Sequence, residues 1–181
     1  MTRLEQINAT VDFLRGIGLE LVEDESASGF LDTIRIDGGK LYYRPGVTSP
    51  ANALHEAGHL AVLPQGYRKR AGECIDDIIC EMCDEMGKAL AADPDLSPDA
   101  PEMRAIMQAG ETEATAWAFA AGRAIGLPDE VIIEDQDYDG EGESIRFGLA
   151  LNAYVGINGL VRGGFCTSVK AYPTLTKWLQ D

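Results

Sequence analysis

Residues 49–62 have the sequence SPANALHEAGHLAV, and this stretch decides the fold. Ser49 is a typical helix N-cap and Pro50 suits the first helical position, so we predict a helix from Pro50 to about Leu63. Pro64 is expected to end it. Apolar and small residues cover this helix nearly all round, which predicts that it is buried.

The two histidines of the chain, His55 and His59, both lie on the predicted helix. Their four-residue spacing puts both imidazoles on one helical face, where they can bind a single metal ion. Glu56 is placed to take a proton from a water molecule beside that ion. The pattern is the HExxH arrangement of zinc metallopeptidases. Two surface histidines placed by accident are the alternative, but the apolar flanks argue against it because buried imidazoles need polar partners.

A zinc site of this kind needs a third protein ligand. A third histidine at the metzincin spacing would fall on Gln65, and a glutamate at the spacing of large aminopeptidases would fall on Ile78. Peptide deformylases place a cysteine ligand ahead of the motif, whereas all four cysteines here follow it. Glu111 and Glu113, at the start of a later helix, remain as candidates.

Glu111 and Glu113 point about 200° apart on a helix, so only one of them can face the histidines. If Glu111 faces them, the small side chains of Ala114 and Ala118 share its face and allow a close approach of the two helices. If Glu113 faces them, the bulky Trp117 would crowd the site. Sterics therefore favour Glu111, and Glu113 stays the alternative ligand.

The residues around this third ligand resemble a known family. A short set of strands, HExxH on a buried helix and a later glutamate–alanine–aromatic motif look like the ImmA/IrrE family of minimal gluzincin-type zinc peptidases. The resemblance covers roughly residues 30–125. It implies a bound Zn²⁺ and cleavage of an intracellular, often regulatory, protein such as a transcriptional repressor. The residues that match the second motif are Glu111, Ala114, Trp117 and Ala118.

One position departs from the family pattern. Thr115 stands where the family has an asparagine that helps to orient a zinc-bound histidine. We expect the hydroxyl of Thr115 to accept a hydrogen bond from His55 instead.

The rest of the chain predicts an α+β, zincin-like domain in which a small antiparallel β-meander packs on helices. We treat residues 1–181 as one domain with a core at about 30–125 and a C-terminal extension, 145–181, of unassigned role. The expected strands are 19–22, 30–36 and 40–44. The further expected helices are one that begins after a Thr2/Glu5 capping box, 73–92, 101–125 with a break at Gly110, 147–160 and 174–179, with a linker at 93–98.

The acidic composition limits the partners. Acidic residues outnumber basic ones 30 to 15, giving a net charge of −15. This disfavours nucleic acid, whose binding depends on Lys and Arg, and it disfavours anionic membranes. Residues 1–6 lack the apolar region of a signal peptide, and four cysteines are too few for a disulfide scaffold, so a cytoplasmic location is expected. A protein or peptide substrate with a neutral or basic cleavage segment fits this charge.

Two other patterns have less specific meaning. Cys80 and Cys83 have CxxC spacing inside a helix, and we expect buried thiols there in preference to a second zinc site. The acidic loop 135–143 imitates the start of a calcium-binding EF-hand loop, but the twelfth position is Arg146, where a glutamate is required. A solvated acidic loop is therefore expected.

These observations predict a zinc-dependent metalloprotease in which His55, His59 and Glu111 hold Zn²⁺ and Glu56 is the general base. Tyr43 or Tyr154 is a candidate for stabilising the oxyanion. The strand 40–44 is expected to pair with an extended substrate. The alternative function is a zincin-like metal-binding module that serves as a sensor or in protein interaction without turnover.

Overall fold

The computed structural model describes residues 1–93 and 95–181. Within them the chain is α+β, as predicted, with nine α-helices, two 3-10 helices and one three-stranded sheet. The strands are β1 (Glu20–Glu23), β2 (Ile34–Asp37) and β3 (Lys40–Tyr43). The α-helices are α1 (Arg3–Gly16), α2 (Pro50–Val62), α3 (Gln65–Arg68), α4 (Ile75–Ala92), α5 (Pro101–Met107), α6 (Glu111–Ile125), α7 (Asp129–Ile132), α8 (Gly142–Ala150) and α9 (Val155–Arg162). The 3-10 helices are Asp135–Tyr138 and Val169–Ala171.

Local signals place the first helix as expected. Thr2 and Glu5 form the predicted capping box, in which each side chain accepts a hydrogen bond from the backbone amide of the other residue. The apolar side of α1, which includes Val11 and Leu14, is buried against the rest of the core. A helix end that satisfies its own free amides needs no tertiary partner, which explains why this prediction is confirmed.

The sheet is mixed, and the predicted antiparallel meander is wrong. β3 lies between the other two strands, antiparallel to β2 and parallel to β1. A tight turn at Gly38 and Gly39, both with positive φ, joins β2 to β3 as a hairpin. Residues 24–33 join β1 to β2, and this connection is long enough for β3 to insert between them. Because β3 is paired on both sides, an extended substrate cannot add to it, and the expected pairing at residues 40–44 is wrong.

Helix α2 forms as predicted and is buried along nearly its whole length. The Ser49 hydroxyl accepts a hydrogen bond from the Asn52 amide at 3.0 Å, and Pro50 occupies the first turn. The helix packs on α6, and this is the most extensive contact between two helices in the described part of the chain. At Gly58 the two backbones touch, since a Cβ added there would lie 2.5 Å from the carbonyl oxygen of Ala114.

Helix α6 begins after the predicted break, with Gly110 as its N-cap. Its residues from Ala114 to Gly122 are all buried. The linker expected at 93–98 lies between α4 and α5, except that Pro94 is outside the described residues.

Helix α4 is less buried than its sequence suggests. Only Ile78 and Met82 are buried, while its other large apolar residues are partly exposed: Ile75, Ile79, Met86 and Leu90. Cys80 and Cys83 are exposed, so the expectation of buried thiols there is wrong, while Cys166 is buried. Neither α4 nor any other described helix is long and apolar enough to span a membrane.

The tail differs from the prediction in two places. The helix expected at 147–160 is divided into α8 and α9, with Asn152 at positive φ between them. The helix expected at 174–179 is absent from that described segment, which instead lies along the core as an irregular strap, residues 172–181.

The strap is fixed by hydrogen bonds to α2 and α6. The Tyr172 hydroxyl donates to the Ala116 carbonyl at 2.7 Å, and the Trp117 indole donates to the Trp178 carbonyl at 2.9 Å. The amide of Gln180 donates to the carbonyl of Ala61 at 2.9 Å. A backbone satisfied by these distant partners does not need to be helical.

We expect Gly58→Ala to destabilise the protein by about 1 to 3 kcal/mol, because the new methyl group would force α2 away from α6. Thermal unfolding of the zinc-free protein measures the effect. Gly87→Ala is the matched control, since a Cβ at this exposed position of α4 meets nothing within 4 Å. There alanine should stabilise the helix by about 0.5 to 1 kcal/mol. An equal melting temperature for Gly58→Ala and the wild type would contradict the proposed close contact.

Candidate metal centre

Three side chains converge where α2 meets the start of α6. Nε2 of His55 lies 3.2 Å from Nε2 of His59. The two carboxylate oxygens of Glu111 lie 3.2 Å from Nε2 of His55 and 3.1 Å from Nε2 of His59. Among the described residues, these three form the one group of His, Cys, Asp or Glu side chains close enough together to hold a metal ion. The predicted site residues are therefore brought together.

The donor atoms of the cluster are close enough together to bind one small cation. With bonds of about 2.0 to 2.1 Å, two ligand atoms at neighbouring corners lie about 3.3 Å apart. The two imidazole nitrogens lie 3.2 Å apart, and each lies 3.1 or 3.2 Å from a different oxygen of Glu111. With one oxygen of Glu111 as the ligand, the three donor atoms lie within 4.8 Å of one another. Two imidazoles and one carboxylate are also a donor set that suits Zn²⁺. The side chain of Glu111 is 63% exposed, so the cluster is open to solvent on that side.

The protonation states of the cluster favour a cation. Burial, and then the charge of neighbouring His59, lowers the pKa of His55 to about 4. A hydrogen bond from His59, together with the charges of both histidines, lowers the pKa of Glu111 against the opposing effect of burial. His55 is therefore neutral and Glu111 ionised near pH 7, as metal ligands must be.

Glu56 points into the same cleft from α2 and is buried. The pKa of its carboxyl is raised to about 7, mainly by burial; the charge of His59 opposes this increase, and the charges of Glu111 and Glu73 add to it. With this raised pKa, the carboxylate of Glu56 is a stronger base than that of an exposed glutamate. It can take up a proton near neutral pH.

Glu113 lies outside the cluster. Its carboxylate accepts a hydrogen bond from the Thr112 hydroxyl at 3.1 Å and packs on Gly159 of α9, where an added Cβ would overlap it. Glu113 is therefore partly buried at a contact between α6 and α9. Trp117 points toward the strap and away from the histidines, as the steric argument requires.

The partner of His55 differs from the expected one. Thr115 is buried, and its hydroxyl has no hydrogen-bond partner. Nδ1 of His55 instead lies 3.4 Å from the hydroxyl of Tyr138, on the 3-10 helix Asp135–Tyr138. Sequence reasoning missed Tyr138 because it lies 83 positions from His55 within an acidic stretch. A single aromatic residue among acidic neighbours is the only local signal.

The cluster lies at the base of a cleft of about 830 Å³. Besides Glu56 and Glu111, three further carboxylates line it, and none of its described lining residues is Lys or Arg. They are Glu73, Asp76 and Asp137. Apolar side chains that include the exposed Phe30 form another part of the wall.

The two tyrosines proposed to stabilise an oxyanion do not line this cleft. The Tyr43 hydroxyl donates to Glu23 at 3.1 Å on the sheet, and Tyr154 is half-buried outside the lining. Tyr138 is the tyrosine among the described lining residues.

The acidic loop 135–143 does not have the arrangement of a calcium site. Arg146 donates hydrogen bonds to the Asp135 carboxylate at 2.8 Å and to the Ile133 carbonyl at 2.6 Å. The carboxylate at the first position of the EF-hand-like pattern is therefore paired with the cation at the twelfth. The segment contains a 3-10 helix and the start of α8, so it is more ordered than the expected solvated loop.

No family model, no curated protein and no solved structure matches the chain. The resemblance to the ImmA/IrrE family therefore stays a prediction. The function has to be inferred from the cluster and its cleft alone.

We expect the purified protein to bind about one Zn²⁺ per chain and to lose it in His55→Ala or His59→Ala. Glu111→Gln should weaken zinc binding by a factor of about 10 or more, because a neutral amide replaces an ionised ligand. Elemental analysis and competition with a chelator measure these effects. Glu113→Gln is the matched control on the same helix turn and should bind zinc as the wild type does. The reverse ranking of the two glutamine variants would show that Glu113 is the ligand.

Proposed function

We propose that the chain is a zinc-dependent metalloprotease that hydrolyses peptide bonds of an intracellular protein. The observation that carries the proposal is the meeting of His55, His59 and Glu111, which each place one donor atom within 4.8 Å of the other two. The buried Glu56 lies beside them in an open cleft. A structural metal site is usually closed by four protein ligands. A site with three protein donors and a cleft leaves room for a substrate.

Each residue of the proposed centre has a distinct task. His55, His59 and Glu111 would hold the metal. Zn²⁺, when bound, supplies a polarising charge for the scissile carbonyl and activates water. Glu56 accepts the proton of the attacking water and then donates it to the leaving amine, for which a pKa near neutrality is suited.

The cleft favours a substrate that is neutral or basic around the scissile bond. Glu73, Asp76 and Asp137 line it without a lysine or arginine among its described lining residues. These carboxylates produce a negative potential, which attracts cationic side chains and repels acidic ones. Phe30, which is 91% exposed at the wall of the cleft, offers a contact for an apolar side chain of the substrate.

The proposed location and substrate class follow from charge and from the family resemblance. A cytoplasmic regulatory protein such as a transcriptional repressor fits both. Nucleic acid and anionic membranes do not fit a chain of net charge −15.

We expect Glu56→Gln to keep the zinc and the fold but to abolish peptide hydrolysis, because an amide cannot accept a proton from water. The measurement is turnover of a peptide library by the zinc-loaded protein, with zinc content and circular dichroism measured on the same samples. Glu113→Gln is the control and should keep its activity. Equal turnover by Glu56→Gln would assign any activity to another site or to a contaminant. A wild type that binds zinc and cleaves no peptide would favour the metal-binding module.

We expect peptides with Lys or Arg near the scissile bond to be cleaved faster than matched acidic peptides at low salt. Asp76→Asn should reduce kcat/KM for the basic peptides roughly threefold to tenfold at low salt and less at high salt, because salt screens the attraction. Asp84→Asn, on the exposed face of the same helix, is the control and should change nothing. Faster cleavage of acidic peptides would contradict the proposed preference.

A further inference from the structure

The two ring nitrogens of His55 face different partners. Nε2 points at the cluster, 3.2 Å from both Glu111 and His59. Nδ1 points the other way, 3.4 Å from the hydroxyl of Tyr138. The two rings lie edge to face, with centroids 6.4 Å apart and an angle of 76° between them. Among the described residues, Tyr138 is the hydrogen-bond partner of that nitrogen.

A metal at the cluster would impose one tautomer on His55. A neutral imidazole carries one proton, so coordination by Nε2 requires the proton to be on Nδ1. That N–H then needs an acceptor, because His55 is largely buried. The Tyr138 hydroxyl can accept it, since a phenol oxygen both donates and accepts.

Tyr138 is held in place by its own surroundings. Its 3-10 helix is fixed by Arg146, which bonds both Asp135 and the Ile133 carbonyl. Thr115 lies close enough to Tyr138 to influence the pKa of the phenol, although its hydroxyl is not in hydrogen-bond geometry with any partner. Once the Tyr138 oxygen accepts a hydrogen bond from His55, its own O–H needs an acceptor, and the hydroxyl of Thr115 is a nearby group that can accept it.

We propose that Tyr138 is a positioning residue of the metal centre: its hydroxyl oxygen accepts a hydrogen bond from the Nδ1–H of His55 and so holds the tautomer whose Nε2 binds the metal. This role rests on the proposed function, because it requires a metal at His55. The sequence predicted that Thr115 would be the hydrogen-bond partner of His55. In this proposal Tyr138 is that partner, and Thr115 lies behind Tyr138, further from the metal. Such partners of ligating histidines fix both the tautomer and the orientation of the ring.

The test compares Tyr138→Phe, which removes only the hydroxyl, with the wild type. Zinc affinity is measured by competition with a chromogenic chelator, and we expect it to fall about 10-fold to 100-fold. The melting temperature of the zinc-free protein should stay unchanged. In the zinc-loaded protein, the Nδ1 proton of His55 should give a slowly exchanging NMR signal that is lost to fast exchange in the variant. Tyr154→Phe is the matched control, since this half-buried tyrosine also lies near Thr115 but makes no hydrogen bond to His55 in the described residues.

Zinc affinity in Tyr138→Phe equal to that of the wild type would overturn the role of Tyr138. An equal loss in Tyr154→Phe would overturn it as well, because the effect would then come from general packing. His55→Ala distinguishes these results from failure of the proposed metal centre. If His55→Ala binds zinc as tightly as the wild type, both the centre and the role of Tyr138 are wrong. If only the His55 variant loses zinc, the centre stands and the role of Tyr138 is wrong.

Discussion

At Gly58 the backbone of α2 rests on the carbonyl group of Ala114 in α6, and no other residue type would leave room for this contact. On α2 the contact lies at Gly58, one residue before His59. On α6 it lies at Ala114, three residues after Glu111. It therefore sets how far the carboxylate of α6 lies from the imidazoles of α2. A methyl group at residue 58 would push the two helices apart and so move the Glu111 carboxylate away from the imidazoles.

The same close packing creates an electrostatic tension. Two carboxyl groups and two imidazoles share a small, partly desolvated volume, and burial keeps His55 uncharged while it opposes ionisation of Glu56. Glu111 is more exposed than these groups, and the hydrogen bond from His59 further favours its charged form. The folded chain thus maintains polar groups that it cannot fully satisfy alone, including Nδ1 of His59 and the hydroxyl of Thr115. Such unsatisfied groups are typical of sites whose ligand completes them.

Features with local causes were predictable from the sequence, and features with distant causes were not. The caps of α1 and α2, the break at Gly110 and the meeting of the HExxH face with Glu111 follow from signals within a few residues of each element. β3 lies in the middle of the sheet because of how the strands pair after the long connection at residues 24–33. The alternation of apolar and polar side chains along a strand does not indicate which strands pair. Tyr138 contacts His55 only because the fold places the 3-10 helix Asp135–Tyr138 beside α2. Cys80 and Cys83 are exposed because little of the described chain packs on α4.

The strap, residues 172–181, holds parts of the chain that are made much earlier. It accepts a hydrogen bond from the indole N–H of Trp117 and donates hydrogen bonds to the carbonyls of Ala116 and Ala61. These residues belong to α6 and α2, the two helices that carry the cluster. A ribosome synthesises α2 and α6 well before these residues, so during translation the two helices lack their last supports. The hydrogen bonds that the strap adds to α2 and α6 can therefore form only after residues 172–180 have been synthesised. A nascent chain that lacks these residues would carry the three donor side chains on helices that are not yet supported by the strap.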